Sequence, residues 1–271
     1  MRSIRLSDRS VSTVLPALVM GIVNATPDSF FGGRGGIDEA LRMIDEGADV
    51  LDVGGESTRP GSEYVDADEE IRRVIPVIRE IRRHSDIPVS VDTRKFEVMR
   101  AAFDEGADIL NDVSALEDDE RLASFCAGTR IPVILMHKRG IPSVMQRNTV
   151  YDDVFEEVSS YLSSRAEYAK SFGIEDDKIW VDAGIGFGKS GTDSFELMRR
   201  CSELCGGRYP VLMALSRKSC IGEVTGGAVD ERLAGTISAN LLAVERGAAM
   251  IRVHDVREAA DSLRILSAFC R

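Results

Sequence analysis

From Leu18 onward the chain alternates eight short runs rich in β-branched and aliphatic residues with eight longer helical patterns. The runs are 18–24 (LVMGIVN), 49–55 (DVLDVGG), 88–93 (PVSVDT), 108–112 (DILND), 132–137 (PVILMH), 178–183 (KIWVDA), 210–216 (PVLMALS) and 250–254 (MIRVH). They are nearly continuous in apolar character, as parallel strands buried on both faces are. Helices are expected over 37–46, 66–83, 95–105, 118–127, 151–172, 193–204, 230–246 and 256–269. In the second of these, Ile71, Val74, Ile75, Ile78 and Ile81 recur at three- and four-residue intervals and form one apolar face.

The chain also repeats itself: DEGADVLDV at 45–53, DEGADILND at 104–112 and ERGAAMIRV at 245–253. Each copy reads as a helix end, a Gly suited to the left-handed cap, then a strand. Eight strand-then-helix units with no linker predict an α/β fold, a single (β/α)8 TIM barrel over 18–271 with a short N-terminal extension, 1–17, covering its floor. A doubly wound open sheet is the main rival.

With 34 Lys+Arg against 45 Asp+Glu, the net charge is −11, which argues against broad nucleic-acid or anionic-membrane binding but leaves room for a local anion pocket. No apolar stretch approaches the roughly 20 residues that span a bilayer. The first residues mix Arg2, Arg5, Asp8 and Arg9 with Ser and lack the apolar core of a secretory signal, so a cytoplasmic location is expected. The five cysteines are an odd number; Cys201 and Cys205, four apart on an expected helix, would suit a metal pair, but reduced thiols are the simpler expectation.

In a barrel of this kind the site forms at the C-terminal rim of the strands. Here those ends carry Asn24, Asp92, Asn111 with Asp112, Met136 with His137, Asp182, the Ser216–Arg217–Lys218 run, and Arg252 with His254; the second loop adds Glu56, Ser57, Thr58 and Arg59. So many polar groups converging on one rim point to a ligand, because unpaired burial is costly. Asp92, Asn111 and Asp182 suit a flat heterocycle with adjacent donors and acceptors. Arg59, Lys218, Arg252 and His254 suit phosphate or another anion. A small molecule with a polar aromatic head and a phosphorylated tail satisfies both sets.

Two glycine-rich stretches mislead. AGIGFGKS, 183–190, nearly matches a phosphate-cradling loop, but Ala183 replaces the first Gly and the stretch follows the sixth unit of a regular series. FGGRGG, 31–36, reads as the loop after the first strand. His84 sits at a helix end as a solvated cation. His137 reads equally as a core histidine or a site residue, Trp180 as packing against the outer helices, and Met136 as core or as the floor of an aromatic slot.

Nine segments resemble one family, the dihydropteroate synthases: NATPDSF (24–30), DVGGESTRPG (52–61), SVDT (90–93), NDVS (111–114), LMH (135–137), DAGIGFGK (182–189), SRKSCIG (216–222), ERLAGT (231–236) and RVHDV (252–256). They occur in the family's order from Val19 to the end. The resemblance implies condensation of 6-hydroxymethyl-7,8-dihydropterin diphosphate with 4-aminobenzoate, giving 7,8-dihydropteroate and pyrophosphate, with Mg2+ and in a homodimer. It implies that Asp92, Asn111, Asp182 and Lys218 hold the pterin, with Met136 and Phe187 lining its slot. Asn24 would meet the metal–diphosphate group, and Arg59, Arg252 and His254 the diphosphate oxygens. Thr58, Pro60, Ser219 and Phe30 would shape the aminobenzoate pocket. Asp92, Asp182, Lys218 and Arg252 are then the catalytic candidates.

The chain departs from the family pattern at Gly32, where an Asp is usual, at Lys138 in place of Met, at Ala183 in place of Pro and at Ala214 in place of Gly. These departures keep three other readings open: a relative acting on a modified pterin or arylamine, a folate- and corrinoid-dependent methyltransferase, and a non-catalytic pterin binder.

Overall fold

The protein is represented by a computed structural model that describes residues 2–25, 35–57, 62, 64–140 and 149–270. A hairpin comes first: β1 (Arg2–Arg5) pairs antiparallel with β2 (Ser10–Thr13). The remaining elements are β3 (Leu18–Asn24), α1 (Gly35–Glu46), β4 (Val50–Gly54), α2 (Ala67–His84), β5 (Val89–Asp92), α3 (Phe96–Asp104), β6 (Ile109–Asp112) and α4 (Arg121–Thr129). They continue with β7 (Val133–Met136), α5 (Val154–Ser171), β8 (Ile179–Asp182), α6 (Gly191–Arg199), β9 (Val211–Met213), α7 (Ser219–Thr225), α8 (Leu233–Glu245), β10 (Met250–Val253) and α9 (Val256–Phe269). Strands β3 to β10 are parallel and close on themselves, β10 pairing with both β9 and β3. This is the expected (β/α)8 barrel and excludes the open sheet.

Local chemistry places the units. The Asp66 carboxylate caps α2 by accepting the Glu69 N–H at 2.8 Å, and Asp68, Glu69 and Glu70 fill the first turn while Arg82, Arg83 and His84 fill the last. Asp153 caps α5, and Ser190 with Asp193 forms a capping box on α6. In all three repeats the glycine is left-handed: Gly47 and Gly106 at φ +98° and Gly247 at +105°. That conformation ends each helix and aims the chain into the next strand.

Successive strand residues face opposite sides. Val19, Leu51, Val91, Leu110, Val133, Val181 and Ile251 pack outward against the helices. The alternate set, Leu18, Met20, Val50, Ile109, Ile134, Trp180, Leu212 and Met250, fills the lower barrel and meets Ile4 and Leu6 of the hairpin segment. Trp180 therefore faces the interior and the floor, not the outer helices as its strand position had suggested. Moving up the same inward face, the residues become Asp52, Asp92, Asn111, Met136, Asp182 and Arg252. The fold thus stacks an apolar lower half under a polar mouth.

Some boundaries differ from the sequence pattern. The helix expected over 193–204 stops at Arg199, and a 3-10 segment, Cys201–Gly207, follows with Cys205 and Gly206 left-handed. α8 begins at Leu233 after a 3-10 turn at Val229–Glu231, and α7 had no counterpart in the sequence pattern. β9 ends at Met213 because the chain turns there, with the Lys218 N–H donating to the Leu215 carbonyl. Among the described residues no helix is long and apolar enough to cross a membrane.

Candidate active site

The inward faces of five strands bring three acids, one amide and one guanidinium together at the barrel mouth. The Arg252 Nε donates to Asp52 Oδ2 at 2.6 Å, and its Nη2 donates to Asp92 Oδ2 at 2.9 Å. Asn111 Nδ2 donates to the same Asp52 oxygen at 3.0 Å. The Asn111 amide is therefore oriented: its nitrogen is turned to Asp52, leaving its carbonyl oxygen for a ligand donor. On β8, Asp182 Oδ1 accepts the Gly184 N–H at 2.7 Å, which fixes that carboxylate at the start of the next loop. Burial pushes Asp92 up to about 7, with Asp52 adding to the rise and Arg252 opposing it. Burial also raises Asp182, against the pull of its Gly184 hydrogen bond and of Lys218.

Lys218 reaches this mouth through a turn that the backbone would not adopt unaided. Arg217 is left-handed at φ +57°, which costs a non-glycine residue about 1–2 kcal/mol. Its N–H donates to Thr236 Oγ1 at 3.0 Å, its carbonyl accepts from Arg232 Nη1 at 3.1 Å, and its side chain pairs with Asp255 at 2.7 Å. Those bonds hold the turn, and Lys218 swings inward to lie with its Nζ 4.5 Å from the centre of the Phe187 ring. Burial lowers it to about 8, while Asp182 opposes the shift. A Cβ at Gly222 would meet the Arg232 guanidinium at 2.3 Å and displace the side chain that holds the Arg217 carbonyl.

The remaining described candidates lie on neighbouring strand ends and loops. Met136 is buried on the inward face of β7, and Phe187 is half-buried on the β8–α6 loop. Asn24 is half-buried at the end of β3, and Ser219 is exposed at the first turn of α7. His254 sits at the adjoining rim, its Nδ1 2.9 Å from the Ser216 hydroxyl. Phe30, Thr58, Arg59 and Pro60, and the departure at Gly32, lie outside the described residues.

Several polar groups at the rim are engaged in structure. Asp112 points outward and accepts from the Ser114 N–H, the Ser114 hydroxyl and the Leu116 N–H, each at 2.7 Å. Glu56 binds Lys95 at 2.6 Å, and Lys95 also binds Glu70 at 2.5 Å. Lys138 pairs with Asp118 at 2.9 Å, so its charge is answered locally. His137 is a core histidine: buried, edge-on to Tyr161 at 5.0 Å, and pushed down to about 3 by burial and by Lys189. Ala183 packs in the shell between barrel and helices, and Ala214 joins the interior cluster. Cys201 and Cys205 bond separate carbonyls, at Ala243 and Ser159, and form no ligand pair.

Sequence reasoning missed Asp52. Its signal was available: an aspartate in the middle of a run expected to be buried on both faces has to find a partner. It missed Lys189 as well. That lysine turns inward from the phosphate-loop look-alike and donates to His137 Nδ1 at 2.8 Å and to the Gly184 carbonyl at 3.0 Å.

Residues 20–254 match the model of a family described as pterin binding enzymes. The chain is 41% identical over 256 residues to a dihydropteroate synthase of Haemophilus influenzae, covering 92% of this chain and 93% of the relative. It superposes on the Xanthomonas albilineans dihydropteroate synthase solved with 4-aminobenzoic acid, with a TM-score of 0.92, 43% identity, and coverage of 99% of this chain and 98% of the other. The same enzyme solved with 7,8-dihydropteroate matches with a TM-score of 0.88 at 39% identity, covering 100% and 99% of the two chains.

Proposed function

The chain belongs to the pterin-binding enzymes and, among them, to the dihydropteroate synthases, and from that premise we propose how its own residues divide the reaction. It is a transferase that joins 6-hydroxymethyl-7,8-dihydropterin diphosphate to 4-aminobenzoate and releases pyrophosphate. The observation that carries the residue assignment is the cluster at one mouth of the buried Asp52, Asp92, Asn111 and Asp182 with the half-buried Arg252 and Lys218.

Asp182 and the Asn111 carbonyl read the polar edge of the pterin, while Met136 and Phe187 close on its faces. Lys218 spans from the ring to the side where the aminobenzoate enters, with Ser219, Thr58, Pro60 and Phe30 completing that second pocket. The arylamine lone pair forms the new C–N bond at the pterin methylene as the C–O bond to the diphosphate breaks. The bonding pair leaves on the diphosphate, and the amine proton passes to solvent. The substitution is loose, so positive charge builds on the methylene and negative charge on the departing group. The Asp92 carboxylate stabilises the first; Arg252, Arg59 and His254 stabilise the second. Arg252 serves both sides: two of its N–H groups are held by Asp52 and Asp92, and the others are assigned to the anion.

Among the described residues no group of three or more His, Cys, Asp or Glu could hold a metal. Asn24 offers one hard oxygen, which fits a Mg2+ ion carried mainly by phosphate oxygens. When bound, Mg2+ would neutralise charge growing on the leaving diphosphate. The five cysteines are free thiols, which supports a cytoplasmic setting. Leu242 on α8 and Ile265 and Phe269 on α9 expose large apolar side chains on adjacent helices, and this surface supports a homodimer.

Pyrophosphate release from the two substrates tests the assignment. The wild type turns over, and Lys218→Ala loses kcat/KM on the order of ten- to a hundredfold, the value of one charged hydrogen bond in a buried site. An unaltered kcat/KM in a folded Lys218→Ala protein would refute the role.

A further inference from the structure

Lys189 has no part in the reaction as assigned above, yet it is buried at the hub of a loop that does. Its Nζ lies 2.8 Å from His137 Nδ1 and within hydrogen-bond distance of three carbonyls, those of Gly184 at 3.0 Å, Phe187 at 3.1 Å and His137 at 3.3 Å, so its three N–H groups are shared among four acceptors. Burial lowers Lys189 to about 7, against the pull of Asp182; in its protonated form it only donates, and His137 Nδ1 then accepts with the ring proton on Nε2.

The loop wraps this nitrogen closely. Gly184, Gly186 and Gly188 are all left-handed, and a Cβ on Gly184 would sit 1.9 Å from the His137 carbonyl oxygen. The Phe187 N–H closes the turn on the Gly184 carbonyl at 3.0 Å. A buried amine is expensive, and an apolar side chain would fill the space at lower cost. What an apolar side chain lacks is direction: one nitrogen bonding both ends of the turn and the end of β7 selects a single loop conformation. The same conformation stands the Phe187 ring against Lys218.

We propose that Lys189 is a positioning residue for the pterin slot, pinning the β8–α6 loop from inside so that Phe187 forms the slot wall before substrate arrives. The inference rests on the assignment of Phe187 to that slot.

Two measurements on the full chain test it. In unliganded wild type, the amides of 184–188 exchange slowly and change by less than about threefold on adding 6-hydroxymethylpterin; in Lys189→Met they exchange roughly tenfold faster, and pterin restores the protection. In steady-state assays, Lys189→Met raises KM for the pterin diphosphate roughly tenfold and leaves KM for 4-aminobenzoate within about twofold. Combined with Phe187→Ala, it adds no loss beyond Phe187→Ala alone, because it acts through that ring. Equal exchange in both proteins, or additive losses, overturns the proposal. Should Lys189→Met not fold, the wild-type exchange decides: loop amides unprotected until pterin is added overturn it. A wild type that neither binds nor turns over the pterin would fell the functional reading instead, and the ligand-free exchange contrast would still judge Lys189.

Discussion

At the scale of single residues, the site is governed by what burial does to opposite charges. Asp92 is raised to about 7 and Lys218 lowered to about 8, each toward its neutral form. The proposed chemistry needs the carboxylate and the ammonium. The kcat/KM of the free enzyme for the pterin substrate should therefore rise with pH near 7 and fall again near 8. Asp52 helps to raise Asp92, so Asp52→Asn should move the rising limb to lower pH, the anion of Asp92 having lost a negative neighbour. A pH–rate profile with an unmoved or upward-moved limb would contradict this. Asp92, Asn111, Asp182, Lys218 and Arg252 were all visible in the sequence as polar strand ends. Their pairing was not: Arg252 bridges two acids that lie 200 and 160 positions away in the chain.

At the scale of elements, loops are held by specific geometry at their glycines and by side chains from other units. Gly184 and Gly173 are both left-handed, at φ +65° and +98°, but only Gly184 lies against another backbone; nothing lies within 4 Å of a Cβ at Gly173. Gly184→Ala should thus lose clearly more stability than Gly173→Ala. The left-handed term alone is about 1–2 kcal/mol for each, and each kcal/mol lowers the Tm of a chain this size by roughly 2–4 °C. Equal melting temperatures for the two variants would mean that the β8–α6 loop is not packed on the end of β7. The repeats and caps made most helices legible. The break after Arg199 and the extra helix α7 were not, because both depend on turns fixed by distant partners. Cys205, inside the first, has its N–H on Ser159, and Arg217, ahead of the second, has its own on Thr236.

At the scale of the whole molecule, the two ends of the barrel do different work. At the floor Ile4 and Leu6 pack on the apolar interior, the buried Lys178 donates to the Leu6 carbonyl, and Arg5 is tied to Glu175 at 2.9 Å and Asp177 at 2.6 Å. We propose 1–17 as an extension that seals the floor. Leu6→Ala should cost about 2–5 kcal/mol in a urea unfolding experiment, as other buried Leu→Ala changes do, with kcat unchanged. A loss of activity without a loss of stability would show that the floor and mouth are not separate. The exposed apolar residues on α8 and α9 make a further prediction. Sedimentation should give a dimer for the wild type and a monomer for the Leu242→Glu/Phe269→Glu double variant; a wild-type monomer would refute the homodimer.

The sequence alone determined the barrel, its order of units and the chemical character of its rim, because strand periodicity, helix caps and left-handed glycines are local and act wherever the chain goes. Only the tertiary structure decided that Trp180 faces inward, that Asp52 joins the site, that Asp112 and His137 do not, and that Lys189 holds a loop. Those outcomes depend on which side chains meet across the closed sheet, and closure sets distances that no local pattern encodes.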